Sequence, residues 1–388
     1  MRLTYDNFEE LLGYEAADRI LIRNLFTEGE ERVKSCRDFL AASVFEDLDH
    51  ESIHLMPYFL LHNGASPLTA KLRPRINGLF KWSMCRNSFN LSGILPLLKA
   101  YDNAGIPILL MKGVFLAHSY YRSLGMRFMA DVDIAVPPEN FDKAAALADA
   151  MGFQGREAGH SIDFCKDGKY RIDLHRTIFK ESYRRENLEQ ALWEKAQKIK
   201  FYDLEVFAPS PEDLLLSLLL NEFFDIVGHE EKKGGRNKQW LLDVKMVLAA
   251  VKNFDREYFV GNCYRLRVMP QVIAMLETYR RLTGDSLEKL GAPAIFEILS
   301  REEGYNEGRM RLFGHMAECL KKSFVFHYGK IHCTYLYITA KAPGEGFDLS
   351  GFQTYLYERY QVDSLTAYLM AEAGQLARRL KRMAGGDA

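Results

Sequence analysis

The segment spanning residues 106–176 constrains the fold of this chain more than any other part. Short apolar runs alternate there with turn residues, and one amphipathic helix lies among them. IPILLM and DVDIAV have the length and composition of strands, and HSIDFCK and KYRIDLHR predict a hairpin around an Asp-Gly dipeptide. The segment therefore predicts a short mixed sheet backed by helices.

Helical patterns flank this segment on both sides. Apolar residues recur at spacings of three and four before residue 100, and again in SPEDLLLSLLLNEFF and QWLLDVKMVLAAV. We predict an N-terminal helical region over 1–99, an α/β core over 100–205 and a C-terminal helical region over 206–388. The fold class is then α/β in the α+β sense, with helices segregated around a mixed sheet.

The charge balance bears on the partners of the chain. The 51 Lys and Arg residues nearly balance the 52 Asp and Glu residues, which gives a net charge of −1. No global basic field is present to attract a polynucleotide, so a small molecule, a peptide or a protein is the expected partner.

The spacing of the cysteines and the length of the apolar runs indicate the cellular compartment of the protein. The six cysteines have no CxxC spacing, as expected for reduced thiols. The opening MRLTYDNFEELLGYEAADR lacks the apolar core of a signal peptide, and the run from Leu214 to Leu220 is far shorter than the ~20 residues that span a bilayer. We therefore expect a cytoplasmic protein that does not use a membrane.

Three aspartates occupy positions where strand alternation collects acidic side chains on one face. In DVDIAV, Asp131 and Asp133 share a face and the intervening apolar residues point to the other. In RIDLHR, Asp173 and His175 share a face in the same way. If the two strands are neighbours, the three carboxylates converge, and a divalent cation such as Mg²⁺ or Mn²⁺ relieves their repulsion. Such a cluster suits two-metal phosphoryl transfer, with Asp173 serving the acceptor hydroxyl.

An Asp-x-Asp triplet alone is a weak signal. The same pattern occurs at Asp47 and Asp49 in a predicted helix, and most such triplets are solvated surface groups. Strand periodicity, and a second strand with its own aspartate, distinguish Asp131 and Asp133 from that pair.

The turn MKGVFLAHSYY adds a second feature. A glycine between a strand and a helix lets the backbone approach a phosphate, and the amides at the helix start favour an anion. Lys112 and Gly113 are therefore candidate nucleotide-binding residues. A plain tight turn with a surface lysine is the alternative interpretation.

The segments LLMKGVFLAHSYY, GMRFMADVDIAVP and YRIDLHRTI, taken in this order, resemble the uncharacterised nucleotidyltransferase family of the DNA polymerase beta superfamily. The downstream helix WLLDVKMVL is similar to the helix that follows the core in that family. The resemblance covers about residues 100 to 250.

The resemblance implies a nucleotidyltransferase fold and transfer of a nucleoside monophosphate from a nucleoside triphosphate, such as ATP, to a hydroxyl, with release of pyrophosphate. Asp131 and Asp133 match the paired metal ligands, and Asp173 matches the third carboxylate. Lys112 with Gly113 matches the phosphate-binding turn. The resemblance also implies a triphosphate contact at Arg127. His175 matches a histidine of the family pattern to which no role is assigned.

Two departures from the family pattern keep other functions open. Val114 stands where the broader superfamily has a second glycine or a serine, and the distance from Gly113 to Asp131 exceeds the commoner spacing. A catalytically silent nucleotide-binding or protein-interaction subunit with the same fold is the alternative function. Transfer of the γ-phosphoryl group is a third, and its product would be a nucleoside diphosphate.

Two further residues carry open interpretations. A two-residue turn at Asp167 and Gly168 would place His160 opposite His175, where a metal or simple solvation would suit the pair. Asp243 on the WLLD helix would either brace the site, bind the base or form a surface salt bridge.

Overall fold

The computed structural model describes residues 8–64, 66–157, 161–179, 186–228, 237–266, 268–300, 349–360, 362–370 and 373–374. The described α-helices are α1 (Ala16–Phe26), α2 (Gly29–Ala42), α3 (His50–Asn63), α4 (Arg73–Asn103), α5 (Lys112–Phe115), α6 (Phe141–Ala150), α7 (Glu186–Lys195), α8 (Pro211–Gly228), α9 (Gln239–Ala250), α10 (Arg256–Leu266), α11 (Met269–Thr283), α12 (Ala294–Ser300) and α13 (Leu349–Tyr360). A π-helical turn, Leu116–Tyr120, continues α5.

Seven strands form one mixed sheet in the order β3-β4-β5-β2-β1-β7-β6. The strands are β1 (Leu109–Leu110), β2 (Val132–Ala135), β3 (Gln154–Glu157), β4 (Ser161–Lys166), β5 (Tyr170–His175), β6 (Gln197–Phe201) and β7 (Leu204–Ala208). β2 lies between β1, which is antiparallel to it, and β5, which is parallel. The fold class is the mixed α/β architecture that the sequence predicts, with helices flanking the sheet.

The alternation predicted for the two central strands is observed. Val132 and Ile134 of β2 and Ile172 and Leu174 of β5 are fully buried. Burying four branched aliphatic side chains on one face stabilises the sheet by roughly 1.5–3 kcal/mol each. The opposite face of both strands is thereby left to their polar residues.

The hairpin register differs by one residue from the predicted two-residue turn. Asp167 and Gly168 both adopt positive φ, as an Asp-Gly turn requires, and the Lys169 amide donates to Lys166 O at 3.0 Å. The ladder nevertheless closes with Lys166 opposite Tyr170. Lys169 is therefore an extra loop residue, and every pair along β4 and β5 shifts by one.

The shifted register removes the predicted pair of facing histidines. His175 lies opposite Ser161, whereas His160 lies outside the described residues. A metal site built on His160 and His175 is therefore not supported by this ladder.

Two strands that the sequence analysis did not identify follow α7. β6 and β7 form an antiparallel hairpin, and β7 runs parallel to β1. Alternate residues of β7, Leu204, Val206 and Ala208, are buried. Strand β1 is conversely shorter than the predicted strand over residues 106–111.

Helices before and after the sheet pack on each other. Lys238, 1% exposed, places its ammonium 2.6 Å from Asp49 Oδ2 and 3.0 Å from Asp18 Oδ1. The Trp240 indole donates to the Tyr14 hydroxyl at 3.1 Å. A buried cation that engages two carboxylates joins the first helices to the start of α9.

The chain separates into two compact units, residues 1–317 and 318–388. The sheet belongs to the first unit, and α13 belongs to the second. The predicted boundaries near residues 99 and 205 stay predictions: α4 continues to Asn103, and β7 spans Leu204–Ala208. Among the described helices, none has the length and apolarity needed to span a bilayer.

Candidate active site

Four aspartates of the sheet form what we call the acidic face: Asp131, Asp133, Asp163 and Asp173. Asp133 of β2 and Asp173 of β5 are direct register partners, and Asp173 is also the partner of Asp163 on β4. Asp131 lies two residues before Asp133 and therefore on the same side. The structure thus brings the three predicted aspartates together and adds a fourth.

Asp163 was not among the predicted site residues. Its signal in the sequence is the alternation of β4, in which Ile162 and Phe164 are buried. A two-residue turn would have placed Asp163 opposite Ile172, so the acidic row emerges only with the extra loop residue Lys169.

His175 is buried between two carboxylates of the acidic face. Its Nε2 lies 3.3 Å from Asp133 Oδ1 and 3.1 Å from Asp173 Oδ2. Ionised carboxylates only accept hydrogen bonds, so Nε2 carries the proton. Burial acts to lower the pKa of His175, but its hydrogen bonds to both aspartates raise it above the usual value. The ring therefore fixes the orientation of one oxygen on each carboxylate.

The carboxylates of the acidic face have opposite pKa shifts. Burial, followed by the charges of Asp133 and Asp173, raises the pKa of Asp131 to about 7. Burial also acts to raise the pKa of Asp133, but Lys112 and His175 hold it well below its ordinary value. At neutral pH, Asp133 is ionised and Asp131 is partly protonated.

Lys112 is a cation that lies close to Asp133. Its Nζ lies 4.0 Å from Asp133 Oδ1 and donates to Asn221 Oδ1 of α8 at 3.1 Å. The backbone of Lys112 has a φ of 31°, which is strained for a residue with a side chain. The strained turn places the ammonium beside the acidic face.

Arg127 is engaged by a buried carboxylate. Its Nε and Nη2 donate to Asp243 at 2.9 and 2.8 Å, and its Nη1 donates to Phe128 O. Asp243 also accepts from the Tyr121 hydroxyl at 2.9 Å. Of the interpretations open for Asp243, bracing agrees with this geometry, because Arg127 lies in the segment that leads into β2.

Gly113 provides the space that Arg127 occupies. A Cβ at Gly113 would lie 2.8 Å from Arg127 Nη1, closer than side chains pack. Arg127 therefore passes beneath the Lys112–Gly113 turn, and its guanidinium is held by α9. Val114, the residue that departs from the family pattern, is fully buried.

The donor set of the acidic face fits a divalent cation. Asp133, Asp173 and His175 each offer a ligand atom within 4.8 Å of the others. Asp173 Oδ1 is buried and, within the part of the chain that the structure describes, accepts no hydrogen bond, which is costly unless a cation binds there. Because Nε2 of His175 already donates to both aspartates, the remaining ligands are carboxylate oxygens, the donors that Mg²⁺ and Mn²⁺ prefer.

The chain belongs to the family described as uncharacterised nucleotidyltransferase, whose sequence profile matches residues 59–284. The match begins in α3 and ends just after α11, so it extends beyond the 100 to 250 range of the sequence resemblance.

Comparison with solved structures gives a further similarity. The crystal structure of an antigenic nucleotidyltransferase-like protein from Paracoccidioides brasiliensis matches 54% of this chain and 96% of its own chain, at 15% identity and a TM-score of 0.37. No curated protein matches this chain significantly.

Proposed function

We propose that this protein is a Mg²⁺-dependent nucleotidyltransferase that moves a nucleoside monophosphate from a nucleoside triphosphate to a hydroxyl, with release of pyrophosphate. The observation that carries the proposal is the register of β2 and β5, which sets Asp133 beside Asp173 with Asp131 two residues away. The acceptor belongs to a small molecule, a peptide or a protein.

Asp131, Asp133 and Asp173 would hold the metal, with Mn²⁺ as a substitute. Bound there, the cation supplies charge neutralisation for the triphosphate and lowers the pKa of the acceptor hydroxyl. Asp173 Oδ1 supports this assignment because it is buried and no described residue donates a hydrogen bond to it. The raised pKa of Asp131 supports it too, since a cation would offset both its burial and its repulsion by Asp133 and Asp173.

The chain's own residues have separate roles in this proposal. Lys112 would bind a phosphate oxygen from its position beside Asp133. His175 keeps the two aspartates oriented through Nε2. Burial acts to raise the pKa of Asp173, but hydrogen bonding from His175 holds it below its usual range. Asp173 is therefore ionised and able to accept the proton of the attacking hydroxyl.

Arg127 would have an indirect role in nucleotide binding, because its guanidinium lies beneath the Lys112–Gly113 turn. Two of its nitrogens bind Asp243, so we assign it a positioning role, in which it supports the backbone of Gly113 and adds a fixed positive charge near the acidic face. Direct contact with the triphosphate, implied by the family resemblance, would require Arg127 to leave Asp243.

A catalytically silent subunit is the second candidate function. Val114 favours it, because a buried valine offers no hydroxyl to a phosphate at the turn. The four carboxylates of the acidic face favour the enzyme, since keeping them close together without a cation costs free energy.

Mass spectrometry tests the reaction type. Candidate acceptors, and the protein itself, are incubated with Mg²⁺ and all four nucleoside triphosphates, with Asp133→Asn as the matched control. A nucleotide-sized mass increase with pyrophosphate release supports the proposal, whereas a nucleoside diphosphate product would indicate γ-phosphoryl transfer. Nucleotide binding without any product, seen as a Mg²⁺-dependent thermal shift, would favour the silent subunit.

A further inference from the structure

A second group of metal-ligating side chains lies on the first turn of α3. Residues 50–54 read HESIH, the H-E-x-x-H spacing that places two histidines on one face of a helix. This signal is visible in the sequence, and the proposed nucleotidyl transfer makes no use of it. His50 and His54 lie within the helix, which begins at His50 and is capped by Asp49.

The three side chains converge on one point. His50 Nδ1 lies 3.6 Å from Glu51 Oε1, and His54 Nδ1 lies 4.0 Å from Glu51 Oε2. A ligand atom from each lies within 4.8 Å of the others. Ligands of a tetrahedral zinc ion are separated by about 3.4 Å, given bonds of about 2.1 Å. The ligand atoms of the three side chains are therefore only slightly farther apart than a zinc ion requires.

Packing against Phe128 holds the ring of His54 in one orientation. Its ring stacks on Phe128 with centroids 3.9 Å apart and an interplanar angle of 11°, which fixes the ring plane.

We propose that His50, Glu51 and His54 bind Zn²⁺ or a similar divalent transition metal, with water completing the coordination, at a site separate from the acidic face. Two imidazole nitrogens favour Zn²⁺ over Mg²⁺. In zinc hydrolases with this spacing the glutamate acts as a base, whereas here Glu51 lies at the ligand position. The site is therefore structural: it holds Phe128, three residues before Asp131, through the ring of His54.

Zinc titration calorimetry of the full chain tests the site. The variants are His50→Ala and Glu51→Gln, both at partly exposed side chains, and His118→Ala is the matched control because it is another exposed histidine. Asp133→Asn reports any zinc binding at the acidic face. Loss of a ligand should weaken zinc binding by at least about tenfold, since even outer-shell changes cost about 10- to 100-fold.

The expected result is a zinc-binding event that His50→Ala and Glu51→Gln weaken, and that Asp133→Asn and His118→Ala leave unchanged. Co²⁺ bound at this site should give visible absorption that disappears in His50→Ala. The proposal is overturned if the wild-type protein binds no zinc, or if Asp133→Asn alone abolishes the binding. It is equally overturned if His50→Ala and Glu51→Gln bind zinc as tightly as His118→Ala does.

Discussion

The acidic face and the Arg127–Asp243 pair both bury carboxylates, but they balance charge differently. Asp243 is met by a bidentate guanidinium and a tyrosine hydroxyl. On the acidic face, Lys112 and His175 contact Asp133, His175 also contacts Asp173, and no described residue donates a hydrogen bond to Asp173 Oδ1. The first arrangement balances its charges with side chains of the chain itself, whereas the second, in the function proposed above, is completed by a cation.

Removing the charge of Asp243 should give the largest effect. Asp243→Asn leaves Arg127 buried without its counter-charge, and breaking a buried pair costs about 3–5 kcal/mol. Urea unfolding measures the change. Asp142→Asn is the control, because Asp142 is 91% exposed in its pair with Arg176, and exposed pairs contribute about 0–1 kcal/mol. Equal stability losses in both variants would remove the distinction between the two regions.

The substitution Asp133→Asn should affect the turnover rate more than the free energy of unfolding. Losing a metal ligand should lower turnover about 100-fold or more, because charge in the transition state is no longer neutralised. The free energy of unfolding should fall less than in Asp243→Asn, because relief of the repulsion with Asp131 and Asp173 partly offsets the lost contacts with Lys112 and His175. Pyrophosphate release provides the measurement, with Asp47→Asn in the other Asp-x-Asp triplet as the control. Near-normal turnover of Asp133→Asn would exclude the proposed mechanism.

The substitution Gly113→Ala tests the contact between the Lys112–Gly113 turn, which borders the acidic face, and the Arg127–Asp243 pair. The new Cβ would press on Arg127 Nη1, which Asp243 prevents from moving away, so we expect a stability loss of about 1–3 kcal/mol. Gly78→Ala, in the open middle of α4, should instead gain about 0.5–1 kcal/mol. If both variants shift the urea midpoint in the same direction, Arg127 is not confined by the turn.

The smallest expected effect is the change of Mg²⁺ affinity with pH. Asp131, with a pKa of about 7, must lose its proton when it binds Mg²⁺. Below pH 7 the Mg²⁺ affinity should therefore fall by about tenfold per pH unit, or about 1.4 kcal/mol, and above pH 7 it should level off. Calorimetry in buffers of different ionisation enthalpy measures the released proton. Asp131→Asn should bind Mg²⁺ weakly with no such dependence, and a flat wild-type profile would contradict the assignment.

Local patterning in the sequence was enough to predict the central strands. Strict alternation in DVDIAV and RIDLHR predicts which residues are buried, and Val132 and Leu174 are fully buried. The Lys-Gly turn was likewise predicted as the start of a helix, which begins at Lys112. Such features depend on neighbours in the chain, so the sequence alone contains their cause.

Features that depend on distant residues were not predictable in the same way. The partner of Arg127 comes from α9, and a sequence-based interpretation left Asp243 open among three roles. Asp163 was missed because one extra loop residue, Lys169, sets the register of a whole ladder. β6 and β7 were missed because a short hairpin competes with the helical pattern around it.

The parallel pairing of β2 and β5 has a consequence for folding kinetics. Asp133 and Asp173 are 40 residues apart in the chain, and α6, β3 and β4 lie between them. Such long-range pairs form late, because loop closure must precede them. Mg²⁺ would then find its ligands assembled only after the folding barrier, so it should slow unfolding and leave the folding rate nearly unchanged.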